Sequence, residues 1–301
     1  MLVSEYPRTR AANGLPYLIV AGFLWGAGGL TGTLLAREGG LSPLGVAAGR
    51  LGVGGLLLVA FLVVTRQKFP RGRAAWTRIV VLGLLAAEFQ ATYFAAVART
   101  GVSLATLLTI GASPVLVLLA EAVTGRRRLT PKVVATAVLA LAGLGLLVGV
   151  PADGLDLGRM LTGGGFALLA ATGFATMTLV AARPVEGLDE LVSTGVGFTL
   201  GAIALAPLAV AGGLSFTVTP ASIALLLALG VGPTALGYAA YFRGLRTSAA
   251  GTAALMALLE PLVGTALAVL ILGERLGAAG WVGAVLLIVA LGLESRSSAV
   301  K

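Results

Sequence analysis

Four charged side chains stand inside long apolar stretches: Arg50, Glu88, Glu121 and Glu260. In a bilayer such a charge costs at least ~2.5–3.5 kcal/mol at mid-depth, so each needs a partner or a wet cavity. Glu88 and Arg50 fall close to the same depth on neighbouring, oppositely directed segments. Either could hold an ionic group of a ligand, or a proton in the case of Glu88. They could equally form a structural ion pair, or Arg50 could snorkel outward. Glu260 directly precedes Pro261, and a proline removes an N–H and clashes with the carbonyl four residues back. A carboxylate beside such a break can line a binding site. Ser113-Pro114 is the related pair earlier in the chain. The two prolines are expected to break their helices at matching depth, although they could simply bend them for packing. Glu121, beside Arg126, Arg127 and Arg128, is expected to be an interfacial, salt-bridged residue, and Glu274-Arg275 a helix-end contact.

Polar and aromatic residues extend this set. Gln90, Thr92 and Tyr93 follow Glu88, and Thr109 precedes Ser113. Tyr238 and Tyr241 are three apart and share a helix face. Trp25 lies in the middle of its segment, where packing against neighbours competes with stacking on a ligand. Trp76 and Trp281 are placed as interfacial anchors. The candidate binding residues are therefore Trp25, Arg50, Glu88, Gln90, Tyr93, Thr109, Ser113, Tyr238, Tyr241 and Glu260, with helix breaks at Pro114 and Pro261.

What must position them is a membrane scaffold. Of 301 residues, 58% are hydrophobic and only 11% charged, with a mean hydropathy of +1.02. A soluble domain carries about a quarter charged residues. The apolar residues fall in blocks at 15–36, 43–65, 78–98, 101–124, 131–149, 160–182, 188–211, 220–245, 248–272 and 277–293. Each approaches the ~20 residues that cross a hydrocarbon core. The expected fold is an all-α membrane protein of ten transmembrane helices. With ten crossings and a cytoplasmic N-terminus, sixteen of the 21 basic residues lie inside. Arg37, Arg99, Arg159 and Arg275 lie outside and Arg50 within a span. That bias places both termini in the cytoplasm, and explains the net charge of +9 without nucleic acid.

An offset of 147 residues superposes Pro114 on Pro261, Arg128-Leu129 on Arg275-Leu276 and Leu82-Gly83 on Leu229-Gly230. Five helices per copy is an odd number, so the copies are inverted repeats, the architecture of alternating access around a midplane site. Charge agrees: the loop after the fourth block reads Gly-Arg-Arg-Arg-Leu, whereas its partner after the ninth reads Gly-Glu-Arg-Leu. The expected layout is a cytoplasmic tail at 1–14, a first five-helix repeat at 15–149, an external linker at 150–159, a second repeat at 160–293 and a cytoplasmic tail at 294–301. Glycines four apart, such as Gly22/Gly26 and Gly197/Gly201, suit close helix packing.

The chain resembles the EamA-type family of the drug/metabolite transporter superfamily. The resemblance rests on Phe23-Leu24-Trp25-Gly26, Gly49-Arg50-Leu51, Ser113-Pro114, Leu259-Glu260-Pro261-Leu262 and Leu272-Gly273-Glu274-Arg275-Leu276, and covers about 15 to 293. It implies a ten-helix, two-repeat carrier that exports or exchanges amino acids and related metabolites without ATP. Two departures leave the substrate open: Gly125-Arg126-Arg127-Arg128-Leu129 stands where Gly-Glu-Arg-Leu is often seen, and Phe174-Ala175 stands where Trp-Ala is common.

Other classes fit poorly. Cysteine and histidine are absent, so there is no disulfide or thiolate chemistry and no serine–histidine hydrolysis. None of the three lysines follows a glycine, which excludes a Walker A loop. Asp153 and Asp156 lie in a loop and Asp189 at the very edge of a block, so no aspartate cluster stands within a span, and no metal or cofactor is expected. The reading is a non-enzyme: a secondary transporter of a small polar metabolite in the bacterial inner (plasma) membrane, monomeric or homodimeric, in which proton coupling is possible. The alternatives are a passive channel-like facilitator, or a carrier of another solute class such as drugs or nucleotide sugars.

Overall fold

The computed structural model describes residues 14–149, 156–213, 215–273 and 275–299. The N-terminal tail before residue 14, most of the linker at 150–159, Glu274 and the last two residues lie outside the described residues. Among the described residues every regular element is helical: α1 (Leu15–Gly39), α2 (Pro43–Val64), α3 (Arg73–Val123), α4 (Pro131–Val148), α5 (Leu157–Ala181), α6 (Glu190–Ala211), α7 (Pro220–Leu229), a π-helical segment (Gly230–Leu236), α8 (Gly237–Leu245), α9 (Ala250–Met256), α10 (Leu259–Leu272) and α11 (Ala278–Ala299).

Several starts follow one local rule. Ser42-Pro43, Thr130-Pro131 and Thr219-Pro220 each place a hydroxyl at the N-cap and a proline at the first helical position. Each cap oxygen accepts a backbone N–H three residues on. The hydroxyl satisfies an orphan donor, and proline lacks the N–H that would otherwise be another.

Nine helical stretches among the described residues are long and apolar enough to cross a membrane. The longest, α3, has 51 residues and would run ~76 Å if straight, more than twice the hydrocarbon thickness. It doubles back instead. Gly101 has φ 80° and ψ 167°, a region essentially restricted to glycine. Tyr93 Oη and Thr106 Oγ1, 13 residues apart, meet at 2.8 Å, whereas on a straight helix they would be ~20 Å apart. α5 records both arms: Gly163 lies against Thr100 and Gly173 against Glu88, while the carbonyls of Ala167 and Ala171 accept from Thr109 and Ser113. The two arms thus run in opposite directions along one neighbour, and α3 is two crossings. At the equivalent place in the second repeat, α8 and α9 are joined by an ordinary turn around Ser248.

The inverted repeat is visible in the packing. The first arm of α3 crosses α6 at Gly83, where an added Cβ would overlap the carbonyl of Gly197, and α4 meets α11 through Gly143 and Gly283. Such glycine contacts let backbones approach where no hydrophobic drive separates helix from lipid. The largest core cluster lies at the centre and toward one end, and joins Trp25, Phe174, Tyr238, Tyr241 and Phe242. That end also gathers Arg78, Arg127 and Arg246, and is called the basic end below.

Candidate substrate site

The site is built from α2, which packs on the π segment, and from α10, which packs on α1. Pro233 has no N–H to give the carbonyl of Leu229, so the helix widens to i→i+5 spacing over 230–236. The hydroxyl of Thr234 replaces the missing donor and bonds Leu229 O at 2.9 Å. Thr234 Oγ1 in turn accepts Arg50 Nε–H at 3.1 Å. Arg50 is therefore oriented by the break itself, and among the described residues no carboxylate pairs with its outer nitrogens.

Glu260 comes from the other repeat. Helix α9 stops before Ala257, and α10 restarts at Leu259 with Glu260 and Pro261 in its first turn. Glu260 N–H bonds Ala257 O at 3.0 Å. Pro261 thus sits where its absent N–H is least costly, and the break lies just upstream of it. Arg50 and Glu260 act electrostatically on each other and on Tyr238 and Tyr93, yet form no ion pair among the described residues. Arg50, Glu260 and Tyr93 are all partly exposed, whereas Tyr238 is buried. Arg50 from one repeat and Glu260 from the other are thus near enough to influence one another without being in ion-pair contact.

An aromatic floor lies toward the basic end. Trp25 stands 4.8 Å from Tyr238, 4.9 Å from Tyr241 and 6.0 Å from Phe174, centroid to centroid. Its Nε1 is buried without a hydrogen-bond partner and lies against Gly237. Tyr241 Oη and Thr178 Oγ1 share a bond of 3.0 Å.

Other candidates go elsewhere. Glu88 does not meet Arg50; it is turned to α5, where only a glycine at 173 leaves room for its carboxyl group. One of its oxygens accepts from Thr92 at 3.2 Å and the other is buried without a partner. Thr109 and Ser113 donate to helix carbonyls, those of Ala167 and Thr109 respectively, and Gln90 is buried. Helical φ/ψ angles continue through Pro114, with Gly101 the one non-helical residue in α3. Helix geometry is thus interrupted around Pro233 and just before Pro261, and not at Pro114. The reason is local: Pro261 lies in the first turn of a helix, while Pro114 is buried within the second arm of α3. Pro233 and Thr234 are absent from the sequence-based set, although a proline inside an apolar block was a usable signal.

The basic end is closed by contacts between repeats. Glu121 is not salt-bridged as expected. Its two oxygens accept the N–H groups of Ala250 and Gly251 at 3.1 and 3.0 Å, which caps α9. Arg127 instead pairs with Glu294 at 3.0 Å, and Thr252 donates to the same oxygen at 2.6 Å. Arg78 and Arg246 lie 3.6 and 3.7 Å from Glu190, and Arg78 also donates to the carbonyls of Ala181 and Arg183.

Comparison with known proteins gives one consistent answer. The model of the EamA-like transporter family matches residues 12–149 and 161–295. The chain is 31% identical over 278 residues to an uncharacterized transporter, YwfM, of Bacillus subtilis (strain 168), with 91% of each chain covered. It is 24% identical to an uncharacterized inner membrane transporter, YicL, of Salmonella typhimurium, over 95% of this chain and 97% of that one. A solved crystal structure of a protein superposes with a TM-score of 0.78 at 20% identity, covering 94% of this chain and 98% of the other; at that identity the likeness concerns the fold.

Proposed function

The chain belongs to the EamA-like transporter family and is a membrane transporter, and on that premise we propose that it carries amino acids or closely related small zwitterions by alternating access. The observation that carries this reading is the unpaired placement of Arg50 and Glu260, both partly exposed, on opposite repeats. An α-amino acid brings a carboxylate and an ammonium. The planar guanidinium of Arg50 can accept the first in a bidentate pair, and Glu260 the second. Such a ligand satisfies both intramembrane charges and bridges the two repeats. Its binding then favours closure above it and release of the contacts at the basic end. A proton and the substrate ammonium would compete for Glu260, which makes exchange against protons the natural coupling. With the basic end in the cytoplasm, as the distribution of arginine requires, export or exchange at the bacterial inner membrane is the physiological use. The closed basic end speaks against a continuous pore.

The test is counterflow uptake of a labelled amino-acid panel by the full chain in liposomes preloaded with unlabelled amino acids. Saturable uptake of a few members is expected. Arg50→Gln and Glu260→Gln should each lower it about tenfold or more, because a hydrogen bond to a charged group contributes ~1.5–3 kcal/mol and 1.4 kcal/mol is a factor of ten. Amines that lack the carboxylate should compete poorly. No uptake above empty liposomes, or equal competition by such amines, sinks the amino-acid reading.

A further inference from the structure

Apart from that site, at the basic end, a groove of about 590 Å³ opens between the start of α3 and the end of α5. Arg73, Thr77, Arg78 and Val81 line it from α3, with Val180, Arg183 and Val185 opposite. The α3 residues recur at spacings of four and three, so they form one face of the helix. Arginine supplies all the charge of the lining, and no carboxylate is among the lining residues. Arg73 and Arg183 are exposed. Arg78 is 95% buried, with 5% of its surface exposed, and although Glu190 and two carbonyls take its outer nitrogens, its Nε is buried without a partner.

We infer that this groove is a binding site for the phosphate headgroup of an anionic membrane lipid. The exposed guanidinium groups of Arg73 and Arg183 match a phosphodiester, whose two free oxygens accept planar N–H pairs, while Arg78, its outer nitrogens already engaged, leaves only Nε–H without a partner. Val81, Val180 and Val185 make the remaining wall apolar, and the neighbouring Val80 and Leu84 are exposed on the outer surface of α3. A headgroup seated among the arginines can therefore run its acyl chain down a hydrocarbon-facing wall, which a water-borne phosphate has no use for. The depth is right as well. Trp76, 41% exposed, donates Nε1 to Pro70 O at 2.9 Å beside the groove, and amphipathic rings settle at headgroup level. Basic pockets between helices on the cytoplasmic side are suited to anionic headgroups.

Native mass spectrometry of the purified full chain with phosphatidylglycerol or phosphatidylcholine tests this. Phosphatidylglycerol should be retained in preference. The double variant Arg73→Gln/Arg183→Gln should lower its apparent affinity about tenfold, while Arg37→Gln, exposed at the opposite end, leaves it unchanged. Both groove arginines are exposed, so an unchanged melting temperature certifies folding. Equal retention of phosphatidylcholine, or undiminished retention by the double variant, overturns the inference. Displacement of the lipid by millimolar inorganic phosphate also overturns it, in favour of a site for soluble phosphate.

Discussion

The span Ala250–Ile271, which joins α9 to α10, is packed on every side in its first half and on one side in its second. From Ala250 through Leu258 every residue is buried; from Leu259 to Ile271 none is. Both stretches consist mostly of small and aliphatic residues, so hydrophobicity does not separate them. What separates them is their neighbours. The first half is pinned at its N-terminus by Glu121 and at Thr252 by Glu294, whereas the second lies on α1, with Gly22 against Leu259 and Gly26 against Val263. The molecule as a whole shows the same contrast. At the basic end buried charged groups join one repeat to the other. At the opposite end the joints include neutral bonds from the stretch before α7 to the α1–α2 turn: Thr217 N–H to Gly39 O and Ser215 Oγ to Gly40 O, both at 2.9 Å. Inverted repeats could in principle close either end alike. Here the 147-residue offset puts Ala268 opposite Glu121, Leu147 opposite Glu294 and Leu225 opposite Arg78, so among the described residues the charged fastening is at one end. The difference teaches that the resting bias of a symmetric scaffold can be set by a few side chains.

The strongest way to break this asymmetry is Glu294→Ala. The pair with Arg127 has side chains 3% and 11% exposed, and removing one partner of a buried pair costs ~3–5 kcal/mol because the other charge is stranded. We expect a large drop in melting temperature in detergent. We also expect increased maleimide labelling of a single cysteine introduced at Ser248, since the chain has no cysteine of its own. Labelling that stays at the parental rate would show that this pair does not hold the basic end shut.

A smaller effect is expected of Glu121→Gln. The amide keeps the shape and one acceptor oxygen but loses the charge that faces two N–H groups and the positive end of α9. With one charge-assisted bond lost, a destabilisation of ~1.5–3 kcal/mol is expected, read in the same melting assay. Labelling at position 248 should rise between the parental level and that of Glu294→Ala. An effect as large as the Glu294 substitution would mean that the cap, not the ion pair, dominates the closure.

These fastenings also mark where sequence reading reached and where it stopped. The all-helical membrane fold and the two repeats are legible because each rests on local signals: apolar runs of membrane length, prolines after hydroxyl caps, arginine in alternate loops. Arg50 and Glu260 were legible because a charge in an apolar block is conspicuous by itself. Their relation was not, since Arg50 pairs in sequence depth with Glu88 as readily as with Glu260. What decides between them is Thr234, 184 residues away, and the room for the Glu88 carboxyl beside Gly173. Glu121 was placed beside three arginines by proximity along the chain, yet its partners are backbone N–H groups of another repeat. Contacts of that kind carry no residue-type signature, because any residues at positions 250 and 251 except proline supply the same donors.

The smallest expected effect sharpens the comparison from the other side. Ser215→Ala removes the hydroxyl bond to Gly40 O, a neutral bond between exposed groups that water or a headgroup can replace. Surface substitutions of this kind stay within about ±0.5 kcal/mol, and interhelical hydrogen bonds in membranes themselves average ~0.6 kcal/mol. The melting temperature should therefore hardly move, and labelling at position 248 should not change. A loss comparable to that of Glu121→Gln would mean that the end opposite the arginines is also fastened by polar contacts. The two ends would then differ in the identity of their fastenings and not in strength, and the closed basic end would need a cause other than its glutamates.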